Sequence, residues 1–80
     1  MDTHTLQAFV TVAETGSFSQ AAGRLFLTQS AVSKRISQLE EQLDTRLFDR
    51  IGRHIGLTEA GQALLPRARK VLLELEDASA

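Results

Sequence analysis

The chain contains no cysteine. Disulfides and thiolate metal sites are therefore excluded, an absence that fits a reducing cytoplasm. Its two histidines do not replace them: His4 and His54 stand at opposite ends of the domain, with no carboxylate cluster at ligand spacing. Neither a Gly-x-Ser-x-Gly elbow nor a phosphate-binding glycine loop occurs. An enzyme is not expected, and no catalytic residue, metal or cofactor is assigned. No apolar run approaches membrane-spanning length, and Met1-Asp2-Thr3-His4 lacks the positive start of a secretion signal. The expected location is the cytoplasm, with no membrane contact. Internal repeats and low-complexity tracts are also missing.

What is present suits one small soluble domain: 80 residues, 42% apolar and 24% charged. A net charge of −1 at first counts against a nucleic-acid binder. Its distribution matters more. Residues 28–37 hold Lys34 and Arg35 without an acid, and residues 50–54 hold Arg50 and Arg53 without an acid. Six of the ten acids (Asp2, Glu14, Glu59, Glu74, Glu76 and Asp77) lie outside residues 28–54.

Residues 29–43 read as a helix of two faces. Val32, Ile36, Leu39 and Leu43 form one apolar stripe at helical spacing. Ser30, Ser33, Lys34, Ser37 and Glu41 fall opposite. Small hydroxyls are poor surface helix formers. Three serines on one face, beside Gln29 and two cations, suit a helix that enters a DNA major groove by its N-terminal half. A solvated helix with an accidental serine face explains the same stretch with about equal weight.

The rest of the chain frames that helix. Leu6, Phe9, Val10 and Ala13 predict a first helix over residues 3–14, closed by Gly16 in a left-handed cap. Ser17-Phe18-Ser19-Gln20 reads as a capping box. It opens a short helix through Ala21, Ala22, Leu25 and Phe26, whose paired alanines permit a close crossing. Leu27 and Thr28 alone then precede Gln29, with Thr28 as N-cap, so the two helices form a helix-turn-helix. Asp44 is expected to take the left-handed cap at the far end.

Short apolar runs around Ile51-Gly52-Arg53-His54 predict a hairpin with Arg53 and His54 at its tip, a wing. A plain surface loop is the commoner use of such a segment. Thr58 and Glu59 open a last helix whose stripe of Gly61, Leu65, Ala68, Leu72 and Leu75 is flanked by Leu64 and Val71. Packing against a partner copy is favoured over folding back on the chain's own core. Pro66 is expected to remove one helical hydrogen bond and bend this helix.

Phe18-Ser19-Gln20-Ala21-Ala22, Leu27-Thr28-Gln29-Ser30-Ala31-Val32-Ser33, Ile36-Ser37-Gln38-Leu39-Glu40, Leu47-Phe48-Asp49-Arg50 and Leu57-Thr58-Glu59-Ala60-Gly61 together resemble the N-terminal domain of LysR-type transcriptional regulators. The resemblance covers nearly the whole chain, and five ordered blocks are more specific than any one. It implies a mainly α winged helix-turn-helix, with three helices and a β-hairpin wing over residues 1–57. A long linker helix for antiparallel dimerisation follows over residues 58–80. It implies a homodimer on an interrupted palindrome in double-stranded promoter DNA, and a tetramer when full length. Relatives continue into a small-molecule effector domain with a periplasmic-binding-protein-like fold, absent from this sequence. Two departures stand out: Asp44 replaces the family's usual Gly, and Ser30 a common Pro.

On this reading Gln29, Ser30, Ser33 and Lys34 are the base-edge candidates. Ser17, Ser19, Thr28, Arg35 and Arg50 are the expected phosphate contacts, Arg35 being nearly as well suited to an internal ion pair. Arg53 and His54 would reach phosphate or a narrow minor groove. Leu64, Leu65, Ala68, Val71, Leu72 and Leu75 form the expected dimer interface. The competing function is a helical protein–protein interaction module without DNA binding. It accounts for the last helix but not for the serine face or the basic hairpin.

Overall fold

The structure is a computed structural model that describes residues 1–79. In chain order it contains α1 (Thr3–Thr15), α2 (Phe18–Leu25), α3 (Gln29–Leu43), β1 (Phe48–Ile51), β2 (His54–Leu57) and α4 (Glu59–Ser79). Helix α1 is the hub, with α2, α3 and α4 all packed on it. The core draws on Leu6, Phe9 and Val12 of α1, Ala21 and Ala22 of α2, and Val32, Ile36 and Leu39 of α3. Leu47, Phe48 and Ala68 complete it. The ring of Phe48 lies 5.4 Å from that of Phe9. It also meets Phe18 edge-on at 6.2 Å, so the aromatic cluster joins the hairpin base to both helices.

Caps set the helix limits. Asp2 opens α1: its carboxylate accepts the Thr5 N–H at 2.8 Å, while the Thr5 hydroxyl accepts the Asp2 N–H at 3.3 Å. The Thr5 amide bond holds the Asp2 carboxyl below its ordinary value. Gly16 closes the helix with φ 68°. Ser17 caps α2 by accepting the Gln20 N–H at 3.1 Å. The expected reciprocal bond from Gln20 is not made, because the Ser17 N–H donates to the Thr15 hydroxyl at 3.3 Å.

Both helices of the helix-turn-helix end in a Schellman motif. The N–H of Leu27 reaches the Ala22 carbonyl at 3.0 Å and that of Thr45 the Glu40 carbonyl at 3.1 Å. Phe26 and Asp44 occupy the left-handed positions, with φ 56° and 51°. The expectation that Phe26 extends the apolar face of α2 is corrected here. Helix α2 stops at Leu25, and the Phe26 ring is 95% exposed. The left-handed cap rotates the side chain off the helix face, at a backbone cost of roughly 1–2 kcal/mol for a residue other than Gly or Asn. Phe26→Asn should therefore raise stability by about 0.5–1 kcal/mol, read as a higher denaturant midpoint at unchanged m.

The hairpin is antiparallel, pairing Phe48 with Leu57, Arg50 with Ile55 and Ile51 with His54. Gly52 and Arg53 form its two-residue loop. Gly52 has φ 63° and Arg53 does not have positive φ, which is the pattern of a type II′ turn. His54 thus belongs to β2, where the sequence placed it at the tip beside Arg53.

Thr58 joins the hairpin to α4. Its N–H reaches the Leu47 carbonyl at 3.0 Å. Its hydroxyl donates to the Arg46 carbonyl at 2.6 Å and accepts the Gly61 N–H at 3.0 Å. Helix α4 runs unbroken through Pro66. Pro66 and Gln62 are both exposed, so water can take the carbonyl that proline leaves unbonded. The apolar stripe of this helix is used differently from expectation. Ala68 is 1% exposed, and Leu64, Leu65 and Leu72 pack partly against the same core. The small Ala68 and Gly61 positions let α4 lie close to its own domain, so much of the stripe is consumed within one chain. Val71, Leu73 and Leu75 stay largely exposed. No helix of the described residues is long and apolar enough to cross a membrane.

Candidate nucleic-acid interface

The apolar stripe of α3 fixes which side faces out. With Val32, Ile36 and Leu39 buried, Ser30, Lys34 and Ser37 are exposed and Ser33 is half-buried. Hydroxyls and an ammonium therefore project together. A groove of about 300 Å³ adjoins this flank, lined by Ser17, Ser19, Gln29, Arg50, Arg53 and His54 among others. It is continued by a hollow of about 190 Å³ lined by Ser33, Ser37, Glu40, Arg46 and Arg50. Phe18, Arg50 and Ile55 line both, so the two form one trench between the start of α2, the side of α3 and the wing.

The first part of the trench contains arginines and no acid. Residues from the N-terminal turns of both α2 and α3 line it, adding the positive ends of two helix dipoles. A larger concavity of about 680 Å³ lies elsewhere, beside Thr45, Arg46, Asp49, Thr58 and Glu59. It is a broad surface depression in which two acids outweigh one cation, so it does not suit a polyanion.

Ion pairing separates the cations into two groups. Arg24 and Arg69 both pair with Glu14, at 4.0 and 3.5 Å, and Arg46 pairs with Asp49 at 3.7 Å. Among the described residues, Lys34, Arg35, Arg50 and Arg53 make no ion pair, and neither do Arg67 and Lys70 of α4. Arg35 thus lacks the internal partner that its place beside the apolar face allowed. The hydroxyl of Thr28 accepts the Ala31 N–H at 3.1 Å and lies 3.3 Å from the Ser30 hydroxyl. A capping hydroxyl still has its own proton to donate, so capping by Ser17 and Thr28 leaves each a donor.

The expected site residues are therefore only partly assembled. Ser17, Ser19, Gln29, Arg50, Arg53 and His54 share the groove, and Ser33 meets Arg50 in its continuation. Ser30 and Lys34 stand exposed on α3 outside both hollows, and Arg35 is half-buried. Of the expected dimer residues, Ala68 is spent inside its own protomer, while Val71 and Leu75 are exposed and Leu73, not anticipated, joins them. Glu40 was missed as well: its carboxylate accepts the buried Leu47 N–H at 2.7 Å. No local pattern announces a contact across seven residues.

Comparison with known proteins places this geometry. Residues 3–62 match the model of bacterial regulatory helix-turn-helix proteins of the lysR family. An HTH-type transcriptional regulator from the ibpB–leuC intergenic region of Azotobacter vinelandii is 66% identical over 77 residues, covering 96% of this chain and 54% of the relative. The HTH-type transcriptional activator CmpR of Synechocystis is 46% identical over 68 residues, covering 85% of this chain and 22% of the relative. The chain thus spans about half the length of the first relative and about a fifth of the second. The BenM DNA-binding domain in complex with catB site 1 DNA superposes with a TM-score of 0.94 at 33% identity, covering 99% of this chain and 89% of that one. The CbnR DNA-binding domain in complex with DNA gives 0.88 at 39% identity, covering 99% and 90%. With three-quarters of its length inside the family model and a matching winged helix-turn-helix, the chain belongs to the LysR family of bacterial regulatory helix-turn-helix proteins.

Proposed function

We propose that the chain is the DNA-binding part of a cytoplasmic transcriptional regulator, recognising double-stranded promoter DNA by equilibrium binding without catalysis. The observation that carries this reading is the grouping on α3 and the wing of four of the six ion-pair-free cations, the other two, Arg67 and Lys70, lying on α4. Lys34 and Arg35 lie on α3, and Arg50 and Arg53 on the wing, beside hydroxyls and two helix N-termini. Internal ion pairs elsewhere leave these charges available to phosphate, whose neutralisation supplies most non-specific affinity. Helix α3 enters the major groove, with Gln29, Ser30, Ser33 and Lys34 toward base edges. Ser17, Ser19, Thr28, Arg35 and Arg50 fix register on phosphates, and Arg53 with His54 reaches the adjoining backbone or minor groove.

Binding titrations over a range of salt, on duplexes selected from random sequence and on scrambled ones, test this. Lys34→Ala should cost about 1–3 kcal/mol on the selected duplex and relax preference at one base pair. Arg53→Ala should weaken both duplexes alike and flatten the salt slope by about one unit. Unchanged binding in both variants would remove these assignments. A helical interaction module would show no salt-dependent retention on duplex DNA at all.

The same reading makes the active species a two-fold dimer on an interrupted palindrome, with half-sites roughly one helical turn or a multiple apart. Its contacts come from α4, now through Val71, Leu73 and Leu75 with the uncovered edges of Leu64, Leu65 and Leu72. Val71→Asp should lower dimer population and DNA affinity together, and sedimentation showing an unchanged dimer would remove this face from the interface. Regulation by a small-molecule effector, and assembly into a tetramer, would come through the further length that the relatives possess.

A further inference from the structure

We infer that Glu40 is a positioning residue that couples the recognition helix to the wing, an inference that rests on the DNA-binding reading above. A two-stranded hairpin is marginal by itself and takes its direction from whatever holds its base. Here the base is Leu47, which is fully buried. Its N–H is taken by the Glu40 carboxylate of α3 at 2.7 Å. Its carbonyl is taken by the Thr58 N–H at 3.0 Å, on the outgoing side of the hairpin. Among the described residues this is the single side-chain hydrogen bond between α3 and the segment that carries the wing. Arg50 and Arg53 lie three and six positions beyond Leu47, on the strand and loop that this bond orients. Glu40 also lines the trench with Ser33, Ser37 and Arg50.

An acid in a groove for a polyanion is unfavourable on charge alone, so removing it should tighten DNA binding. The clasp makes the opposite prediction. Without the carboxylate the Leu47 N–H loses its partner, the hairpin base is released, and the wing cations no longer meet the duplex at the height set by α3. The chain keeps an acid where its field opposes the ligand because the hydrogen bond it makes aims two arginines.

The test is a double-variant cycle read by salt-dependent binding to a duplex selected from random sequence by the unaltered chain. Glu40→Ala should weaken binding and flatten the salt slope by about two units, one for each wing cation, against about one for Arg53→Ala. In the Glu40→Ala, Arg53→Ala double variant the loss should not exceed that of Glu40→Ala alone, and the base preference read by α3 should persist. Glu40→Gln keeps an oxygen that accepts the Leu47 N–H while removing the charge, so it should bind as well as the parent or better. If Glu40→Ala does not fold, Glu40→Asp carries the same comparison, because it keeps the charge but falls one methylene short. Losses that multiply in the double variant, or tighter binding by Glu40→Ala (or by Glu40→Asp where it stands in), overturn the inference and leave the DNA-binding reading intact. Absence of salt-dependent binding by the unaltered chain overturns that reading itself, and this inference with it.

Discussion

Phe48→Ala should cost about 3–5 kcal/mol, among the largest losses expected from a single side chain here. The ring is buried and sits between Phe9 at 5.4 Å and Phe18 at 6.2 Å. Its removal takes away the transfer free energy of a benzyl group and leaves a cavity that neither neighbour can fill without leaving its own helix. A domain of this size has only about 4–12 kcal/mol of stability in total, so the loss takes a large share of it. Urea unfolding followed by circular dichroism measures this directly. A loss below about 1 kcal/mol would mean that the aromatic cluster does not hold the hairpin to the helices.

Gly61→Ala should also be strongly damaging, although it adds only one methyl. A Cβ at this position would overlap the Leu47 carbonyl oxygen and crowd a Leu57 methyl. The side-chain neighbour can rotate, but the carbonyl cannot. It accepts the Thr58 N–H at 3.0 Å and belongs to a segment whose N–H is fixed by Glu40. Overpacking of this kind costs about 1–3 kcal/mol and occasionally more, and backbone opposition puts Gly61 at the upper end. Alanine has the better helix propensity by about 1 kcal/mol, so a helix-only account predicts stabilisation. The sign of the measured change therefore decides whether Gly61 is retained for helix–hairpin clearance.

Periodicity made most of the fold legible. The stripe in α3 presents one apolar face to the core, where hydrophobic spacing and burial coincide, whereas α1, with helices packed around it, is buried beyond its stripe at Ala8 and Val12. Caps at Gly16, Ser17, Thr28 and Thr58 were legible because a side chain or a glycine answers a local backbone need. Phe26 was misread because its hydrophobicity continues the stripe, whereas the left-handed cap that rotates it outward leaves no hydrophobic signal. Stripe length in α4 did not reveal which portion the domain would keep. That depends on how closely Ala68 can approach α1, a tertiary distance. The site divides the same way. Its residue types could be listed from sequence, but their meeting across α2, α3 and the wing is a product of topology.

The seating of Ala68 has a mechanical consequence. A helix of this length reaches roughly 30 Å, so a tilt of ten degrees about its base moves the far end by about 5 Å. Because α4 rests along α1, the element that also carries α2 and α3, its direction is tied to that of the groove-facing surface. Torque applied at the distal tip would be delivered to the whole headpiece as a rotation. Two headpieces joined through such spokes would therefore change the separation of their reading surfaces without either one altering internally.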